Sequence, residues 1–429
     1  MVYMVRRVLL LCLLCTSMQI FSQSKWTLFV YMEASEELQH EALKNISDFT
    51  QAGVPEEVNV IVQVHTGGEN SWLYKIEGKG IFLLDVVPLS PNARDNIIGS
   101  MRKVVDHYPA QHYGVVLWDH GFGILIPQYN SATNTWDVEP DGDNSFGACD
   151  LIHVEIPEKK RGNRLDQIKY KGLLINGHAK SVMNNHDMVE TFRVISEELL
   201  EGKKLDLCGM DCCLGAMIEH GYQLRHYVRY LVGSQDCELT DGWDYTTLMY
   251  HFIDGHIDPY QIAQDIVIDY GNYYEPIAPV GRYTQSAIDL ERVEELKENL
   301  DRIVTCFRQC MSENPQFFKQ LVREAREACI RFCQMPAYTD ISHFYDNLLK
   351  LLENHGLLHD GSYPVQQLVQ QLTEGKELVK QVVIANAVGK VNAHAQGISL
   401  YFPLYHIDSS YPDCMFARES SWLGFLQKI

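Results

Sequence analysis

Two residue types that could supply a nucleophile and its proton-transfer partner each follow a short apolar run. His120 comes directly after the run Gly114–Trp118, and Cys213 comes shortly after Leu205–Gly209. A cysteine becomes a useful nucleophile when a base or a cation helps it form the thiolate, and histidine is the most common partner. The pair indicates a Cys-His hydrolase. A buried histidine and structural cysteines are the alternative, because 17 His and 12 Cys make coincidental placement easy.

The neighbours of this pair are suited to acyl transfer. Gly121 and Gly123 leave backbone N–H groups free to face a developing oxyanion. Cys213 precedes a helix predicted over Leu214–Tyr227, whose N-terminal dipole would lower the pKa of the thiol. If both apolar runs are strands of an open parallel sheet, their carboxyl ends meet at one edge, which is where sites form in such sheets.

The elements that would position the pair alternate between strands and helices. The predicted strands include Thr27–Met32, Val58–Val64, Gly114–Trp118, Leu205–Gly209 and Tyr230–Ser234, with a hairpin over Trp72–Leu84 and helices over Ser35–Gln51, Asn96–His107, Asp187–Leu200 and Leu214–Tyr227. This spacing is typical of βαβ units and predicts a largely parallel sheet with helices on both faces.

Two stretches interrupt the alternation. Residues 126–180 are polar and longer than an ordinary loop, which indicates a functional or processed segment. From about Pro259 to Gly375 the pattern is mainly helical, and strand-like sequence returns at Val382–Ala385 and Gly397–Pro403.

The first residues predict export. Arg6 and Arg7 precede a short apolar core, Val8–Cys15, and a polar exit that ends near Ser22 or Ser24, as in a secretory signal peptide. A bacterial lipoprotein is the alternative, although the residue before Cys15 is a bulky leucine. The expected location is the periplasm, the cell surface or the medium, without a stable membrane span.

The net charge of the chain limits which partners it can bind. The 56 acidic residues outnumber the 36 basic ones and give a formal net charge of −20, which repels phosphate backbones and makes nucleic acid an unsuitable partner. The acidity either favours basic peptide segments or only maintains solubility.

Four cysteines form two pairs at i, i+4 spacing in the predicted helical stretch. Cys306 and Cys310 make one pair, and Cys329 and Cys333 make the other. Each pair would share one face of a helix, so helix packing is the simpler explanation. A tetrathiolate zinc site in a zinc-stabilised hydrolase is the alternative, and it requires the two faces to converge.

Several motifs together resemble the clostripain family of secreted cysteine peptidases, in the clan of caspases, legumains and gingipains. They are Trp26–Met32, Val58–Gln63, Tyr108–Tyr113 with Leu117–Gly123, Asp211–Cys213, Ser234-Gln235, Asp241–Tyr245 and Gly397–Pro403. The resemblance implies a caspase-like three-layer α/β sandwich around a mostly parallel sheet, with a largely helical C-terminal region. It also implies hydrolysis of peptide bonds after Arg or Lys.

The resemblance assigns roles by position. Cys213 would be the nucleophile and His120 the acid that protonates the leaving amine. The oxyanion would be held by the N–H groups of Gly121 and Cys213. Cys212 and Cys208 would then be core neighbours, with a swapped assignment as the alternative.

Two carboxylates would line the pocket for the basic substrate side chain. Asp211 corresponds to an acidic residue near that pocket, and Asp241 is the second candidate, because a carboxylate facing a guanidinium accepts charge-assisted hydrogen bonds. The alternative for Asp241 is a plain turn residue in the sequence Thr-Asp-Gly.

Family members are commonly inactive until they cleave themselves between the histidine and the cysteine. The basic residues available there include Lys180, Lys160 and Arg161, of which Lys180 is preferred. The resemblance also suggests weak Ca²⁺ binding, because the family sometimes depends on calcium. The acidic loop Asp137–Asp143 starts like an EF-hand, but Ala148 replaces its final glutamate. The chemistry itself requires no metal or other cofactor.

These expectations define an organisation and a function. Residues 1–24 are the signal peptide, 25–255 the catalytic domain with a processed or mobile segment at about 126–181, 256–380 a mainly helical region, and 381–429 strands and a helix that pack back on the catalytic domain. The function is a secreted endopeptidase that is a monomer, or two chains after self-cleavage. A non-catalytic secreted or surface binding protein on the same scaffold is the alternative.

Overall fold

The computed structural model describes residues 23–34, 38–130, 135–137, 175–176, 181–278, 281–332, 337–360 and 362–429. Nearly all of the predicted signal peptide therefore lies outside the described residues. So do Lys160, Arg161, Lys180 and Cys333.

Fifteen strands lie in the part of the chain that the structure describes. Within the described residues they are β1 (Ser24–Glu33), β2 (Val58–His65), β3 (Asn70–Glu77), β4 (Gly80–Pro88), β5 (Ala110–Trp118), β6 (Gln128–Asn130), β7 (Thr135–Asp137), β8 (Ile175–Asn176), β9 (Ser181–Val182), β10 (Leu205–Asp211), β11 (Val228–Gly233), β12 (Thr284–Asp289), β13 (Tyr338–Asp340), β14 (Val383–Val388) and β15 (Ser399–Tyr401).

Nine of these strands form one sheet, in the order β14-β12-β11-β10-β5-β1-β2-β3-β4. The five central strands, β11, β10, β5, β1 and β2, are parallel. The two strands at each margin are antiparallel to their neighbours. The expectation of a mostly parallel central sheet is confirmed, and the carboxyl ends of the central strands share one edge.

Helices cover both faces of the sheet. The described ones are α1 (Gln39–Ala52), α2 (Ala93–His107), α3 (Asn185–Arg193), α4 (Ile218–Leu224), α5 (Tyr245–Ile253), α6 (Pro259–Tyr274), α7 (Val293–Glu313), α8 (Pro315–Glu327), α9 (Ile341–Asn354), α10 (Leu357–Asp360), α11 (Tyr363–Val382), α12 (Met415–Glu419) and α13 (Trp422–Leu426).

The period of two along β1 creates two separate cores. Leu28 and Val30 pack with α1, α5 and α6 on one face, and Phe29 and Tyr31 pack with α2, α3 and the C-terminal helices on the other. Successive strand side chains point to opposite faces, so a strand covered on both sides is apolar throughout. The result is the three-layer α/β sandwich that was expected, with a largely helical C-terminal region.

Three local predictions differ from the structure. The segment predicted as helical from Pro259 onward contains β12, which pairs antiparallel with β11 and extends the main sheet. The helix predicted up to Cys333 ends at Glu327, so Cys329 lies beyond its end. The helix predicted from Leu214 begins only at Ile218.

Candidate active site

The sheet brings the two candidate catalytic segments together at its carboxyl edge. β5 and β10 are neighbouring parallel strands, and Trp118 at the end of β5 pairs in register with Asp211 at the end of β10. His120 and Cys213 each lie two residues beyond this pair. The predicted meeting of histidine and cysteine at one edge therefore follows from the strand register.

The approach is closest between Gly121 and Cys213. A β-carbon at position 121 would overlap the carbonyl oxygen of Cys213 and lie 2.8 Å from its backbone nitrogen. Only a residue without a side chain allows the backbones to come this near. His120 is thereby held beside the cysteine, and it is partly exposed.

The rest of the histidine loop is anchored by side chains from distant segments. The hydroxyl of Tyr338 donates to the carbonyl of Phe122 across 2.5 Å, and the amide of Asn185 donates to the carbonyl of Ile124 across 3.0 Å. Gly123 has φ +65°, and a β-carbon there would lie 2.8 Å from Sδ of Met217. The loop is therefore fixed against the segment that follows the cysteine.

Cys213 does not begin a helix, contrary to the expectation from sequence. Leu214 adopts a left-handed conformation with φ +59°, and its N–H donates to the carbonyl of Asp236 across 3.1 Å. Ala216 then donates to Ser234 across 2.9 Å. Because these long-range bonds hold the chain out of a helix, Cys213 does not lie at a helix N-terminus.

The thiol of Cys213 instead receives a backbone hydrogen bond. The N–H of Glu238 donates to its sulfur across 3.1 Å, and the cysteine is only 2% exposed. An N–H donor aimed at sulfur stabilises negative charge there once the thiolate has formed. Sequence reasoning missed Glu238; its only sequence signal was a position between the matched motifs Ser234-Gln235 and Asp241–Tyr245.

The remaining described thiols are buried core groups. Desolvation raises the pKa of each of five free cysteines, Cys208, Cys306, Cys310, Cys329 and Cys414. A raised pKa leaves a thiol protonated and unreactive. Cys208 is thus a core neighbour of the site, as expected, and Cys212 is also buried at 1% exposure.

The thiols of the helical region do not support the zinc alternative. Among the described residues, the one group of side chains arranged to hold a metal ion contains no cysteine. Cys306 and Cys310 lie on α7 and pack in the same apolar core as Cys329. Helix packing accounts for Cys306 and Cys310, and Cys329 is buried just beyond the end of α8.

Asp211 is fully buried at the end of β10. Its Oδ2 accepts a 2.7 Å hydrogen bond from the hydroxyl of Tyr245 and a 3.3 Å bond from the backbone of Trp243. Gly242 passes so close that a β-carbon there would lie 3.0 Å from both carboxylate oxygens. Asp211 therefore anchors the loop that carries the second predicted pocket residue.

That second residue, Asp241, faces solvent. Its side chain is 42% exposed and lies 3.5 Å from the ammonium of Lys44. The hydroxyl of Tyr273 donates to Oδ2 of Asp241 across 2.8 Å. Sequence reasoning did not single out Lys44, Tyr245 or Tyr273, because each lies on a helix distant in sequence from its carboxylate partner.

Trp243 contacts both the nucleophile strand and the segment that contains Glu238. Its indole N–H donates to Oε1 of Glu238 across 3.0 Å, and its ring packs where a β-carbon of Gly209 would be, 2.6 Å from the ring. The glycine in the nucleophile strand thus makes room for the tryptophan. Trp243 links the pocket loop to the segment that bonds the Cys213 sulfur.

Lys160, Arg161 and Lys180 lie outside the described residues. The acidic loop does as well, apart from the backbone of Asp137.

The fold and site define a caspase-like α/β protein with a histidine and a cysteine at the carboxyl ends of adjacent parallel strands. The family profile that matches is the clostripain family, peptidase C11, over residues 30–152 and 179–394. The chain belongs to the clostripain family and is a cysteine peptidase, with polypeptides as its substrates.

Solved structures agree in fold over almost the whole chain. A secreted C11 cysteine protease from Bacteroides thetaiotaomicron, called iotapain, is 16% identical with a TM-score of 0.62 and covers 94% of this chain and 99% of its own. A secreted C11 protease from the same organism, bound to an irreversible peptide inhibitor, is 15% identical with a TM-score of 0.60, over 94% and 98%. An inactive zymogen C11 protease from Parabacteroides distasonis is 16% identical with a TM-score of 0.58, over 93% and 99%.

No curated protein sequence matches the chain. In the described part of the chain, every helix is too short or too polar to span a bilayer.

Proposed function

We propose that this protein is a secreted endopeptidase that cleaves after Arg or Lys, with Cys213 as nucleophile and His120 as proton donor. The observation that carries the proposal is the contact between the backbones of Gly121 and Cys213 at the carboxyl ends of β5 and β10.

The chemistry proceeds in two halves. The Cys213 thiolate attacks the scissile carbonyl carbon, and the oxyanion accepts hydrogen bonds from the N–H groups of Gly121 and Cys213. The C–N bond then breaks as His120 gives a proton to the leaving amine, which leaves a thioester. Water, losing a proton to His120, hydrolyses the thioester and releases the thiolate. The N–H of Glu238 supports the thiolate at the start and end of the cycle.

Specificity for a basic side chain rests on Asp241 and Asp211. Asp241 is the carboxylate open to solvent, and its ion pair with Lys44 supports a role in accepting a cation. Asp211 does not face solvent, and it holds the loop of Asp241 in place through its hydrogen bonds with Trp243 and Tyr245. The net charge of −20 adds long-range attraction toward basic segments.

Activation occurs by self-cleavage between His120 and Cys213, with Lys180 as the preferred position and Lys160 or Arg161 as the others. The 2% exposure of Cys213 in the uncut chain supports this, because a substrate needs access to the sulfur. Cleavage leaves a monomer of two chains. Purified Cys213→Ala protein should stay in one piece, and Lys180→Ala should delay cutting of the active protein on a denaturing gel.

The catalytic steps need no metal ion or cofactor, since the thiol and imidazole supply the nucleophile and the proton. Ca²⁺ at the acidic loop Asp137–Asp143 would act on structure alone. Activity on a P1-Arg reporter should be unchanged after selective chelation of Ca²⁺. A complete and calcium-reversible loss would contradict this.

Export follows from the N-terminal pattern of Arg6-Arg7 and the apolar core. Cleavage near Ser22 or Ser24 falls at the start of β1, which begins at Ser24. Similar structures from Bacteroides thetaiotaomicron are described as secreted. N-terminal sequencing of exported protein tests the cleavage position.

The decisive test compares P1-Arg and P1-Lys reporter peptides across single variants. Cys213→Ala and His120→Ala should each abolish turnover, and the matched control Cys212→Ala should retain it. Full activity in either of the first two variants would refute the mechanism. Absence of turnover in the cleaved wild-type protein would favour a non-catalytic binding protein on this scaffold.

A further inference from the structure

A cluster of imidazole and carboxylate groups lies away from the thiol, between α5 and α6. His251, His256 and Asp265 each offer one ligand atom, and these atoms all lie within 4.8 Å of one another. The three side chains are 23%, 33% and 13% exposed, so an ion can reach them from solvent. The proposed peptidase chemistry uses none of them.

The turn at the end of α5 brings the two histidines side by side. Gly255 has φ +87°, and the N–H of His256 donates back to the carbonyl of His251 across 2.9 Å. This is the glycine-terminated helix end in which the chain reverses. The imidazole rings consequently stack, with centroids 5.1 Å apart.

Asp265 on α6 faces both rings. Its Oδ2 lies 2.8 Å from Nδ1 of His256 and 3.7 Å from Nδ1 of His251. Zinc held at about 2.0–2.2 Å by nitrogen and oxygen ligands in a tetrahedron places those atoms about 3.4 Å apart. The two separations from Asp265 Oδ2, 2.8 and 3.7 Å, lie on either side of this expected distance.

A second carboxylate orients one of the rings. Asp269 Oδ2 lies 2.8 Å from Nε2 of His251, on the side opposite Asp265. A histidine that donates one ring N–H to a carboxylate presents the lone pair of its other nitrogen, which is the arrangement around metal-bound histidines. Asp269 is therefore a positioning residue for His251.

We propose that His251 Nδ1, His256 Nδ1 and Asp265 form a zinc site with a fourth position left for water. Two imidazoles and one carboxylate suit Zn²⁺ and disfavour Ca²⁺, which prefers oxygen ligands. The ion ties the end of α5 to α6. Through α6 the ion also holds Tyr273 in place, and Tyr273 bonds the pocket residue Asp241.

The test titrates Zn²⁺ into full-length Cys213→Ala protein, which removes the catalytic thiol as a competing ligand. On that background, His256→Asn and Asp265→Asn should each bind one zinc ion fewer than the parent. Alternatively, each should bind Zn²⁺ with an affinity more than about tenfold lower than that of the parent. Asp269→Asn should weaken binding about 10- to 100-fold. Circular dichroism verifies that each variant is folded.

The matched control is His112→Asn. His112 also faces a carboxylate, with Nδ1 3.3 Å from Asp206, but it belongs to no described three-residue group. It should keep the zinc affinity of the parent. Unchanged stoichiometry and affinity in both His256→Asn and Asp265→Asn would overturn the site, and so would a parent that takes up no zinc. Ca²⁺ binding through the same residues, as tight as that of Zn²⁺, would overturn the assignment to zinc.

Discussion

The hydroxyl of Tyr245 donates a 2.7 Å hydrogen bond to Oδ2 of Asp211, two residues before the cysteine at the centre of the site. Tyr245 is the first residue of α5, and Asp211 is the last of β10. Both side chains are completely buried. The bond therefore ties the nucleophile strand to the helix that follows the pocket loop.

Tyr245→Phe should destabilise the protein by about 1–3 kcal/mol, because a buried carboxylate loses a 2.7 Å hydrogen bond. Urea denaturation measures the change. Tyr250→Phe, at an exposed tyrosine of the same helix, is the control and should leave stability within about 0.5 kcal/mol of wild type. Equal stabilities of the two variants would show that the bond contributes nothing.

Gly121→Ala should reduce kcat/KM on a P1-Arg reporter by about 100-fold or more, because an added methyl group forces the Gly121 and Cys213 backbones apart. Gly99→Ala is the matched control, since a β-carbon on this helical glycine meets no atom within 4 Å. Wild-type activity in Gly121→Ala would contradict the close approach.

Asp241→Asn should raise KM for a P1-Arg reporter about tenfold, the loss expected for one charge-assisted hydrogen bond. Lys44→Gln should act in the opposite direction and lower KM, because Lys44 competes for the same carboxylate. Steady-state kinetics of both variants test the pair. Unchanged KM values in both variants would show that Asp241 does not bind the basic side chain of the substrate.

Glu219→Gln should change how stability depends on pH. Burial raises the pKa of the Glu219 carboxyl to about 7, and its Oε2 has no hydrogen-bond partner among the described residues. Between its ordinary pKa of 4.5 and about 7, the folded protein binds more protons here than the unfolded chain. This group's contribution to the free energy of unfolding therefore falls as pH rises through that window.

The variant removes that dependence. Its stability relative to wild type should rise by up to about 3 kcal/mol from pH 4.5 to pH 8. Urea denaturation at both pH values measures the difference. His220, whose pKa burial lowers to about 4, is present in both proteins, so its opposing contribution cancels. Glu353→Gln, at an exposed position, should show no such trend.

Much of the site was accessible from the sequence because the relevant signals are local. Apolar runs that end in His120 and Cys213 predict strands, and parallel strands place their carboxyl ends at one edge. The glycine after His120 was predicted to serve the oxyanion, and its backbone lies against that of Cys213. Neighbouring positions for β5 and β10 explain why these predictions converge.

The sequence failed where distant segments compete with local preference. Residues after Cys213 have helical periodicity, yet bonds to Asp236 and Ser234 hold them in a turn. The strand β12 lies in a stretch with helical neighbours. Its antiparallel pairing with β11 makes it a strand instead of a helix. Contacts between residues so far apart in sequence leave no periodic pattern to detect.

By itself, the sequence determined the alternation of strands and helices, the two-sided burial of the central strands and the presence of a histidine and a cysteine at strand ends. Only the tertiary structure decided the strand order, the hydrogen bonds that bury Asp211 while Asp241 stays exposed, and the grouping of His251, His256 and Asp265. The first set depends on residue type and spacing along one element. The second depends on which elements become neighbours, and packing of the whole chain selects those neighbours.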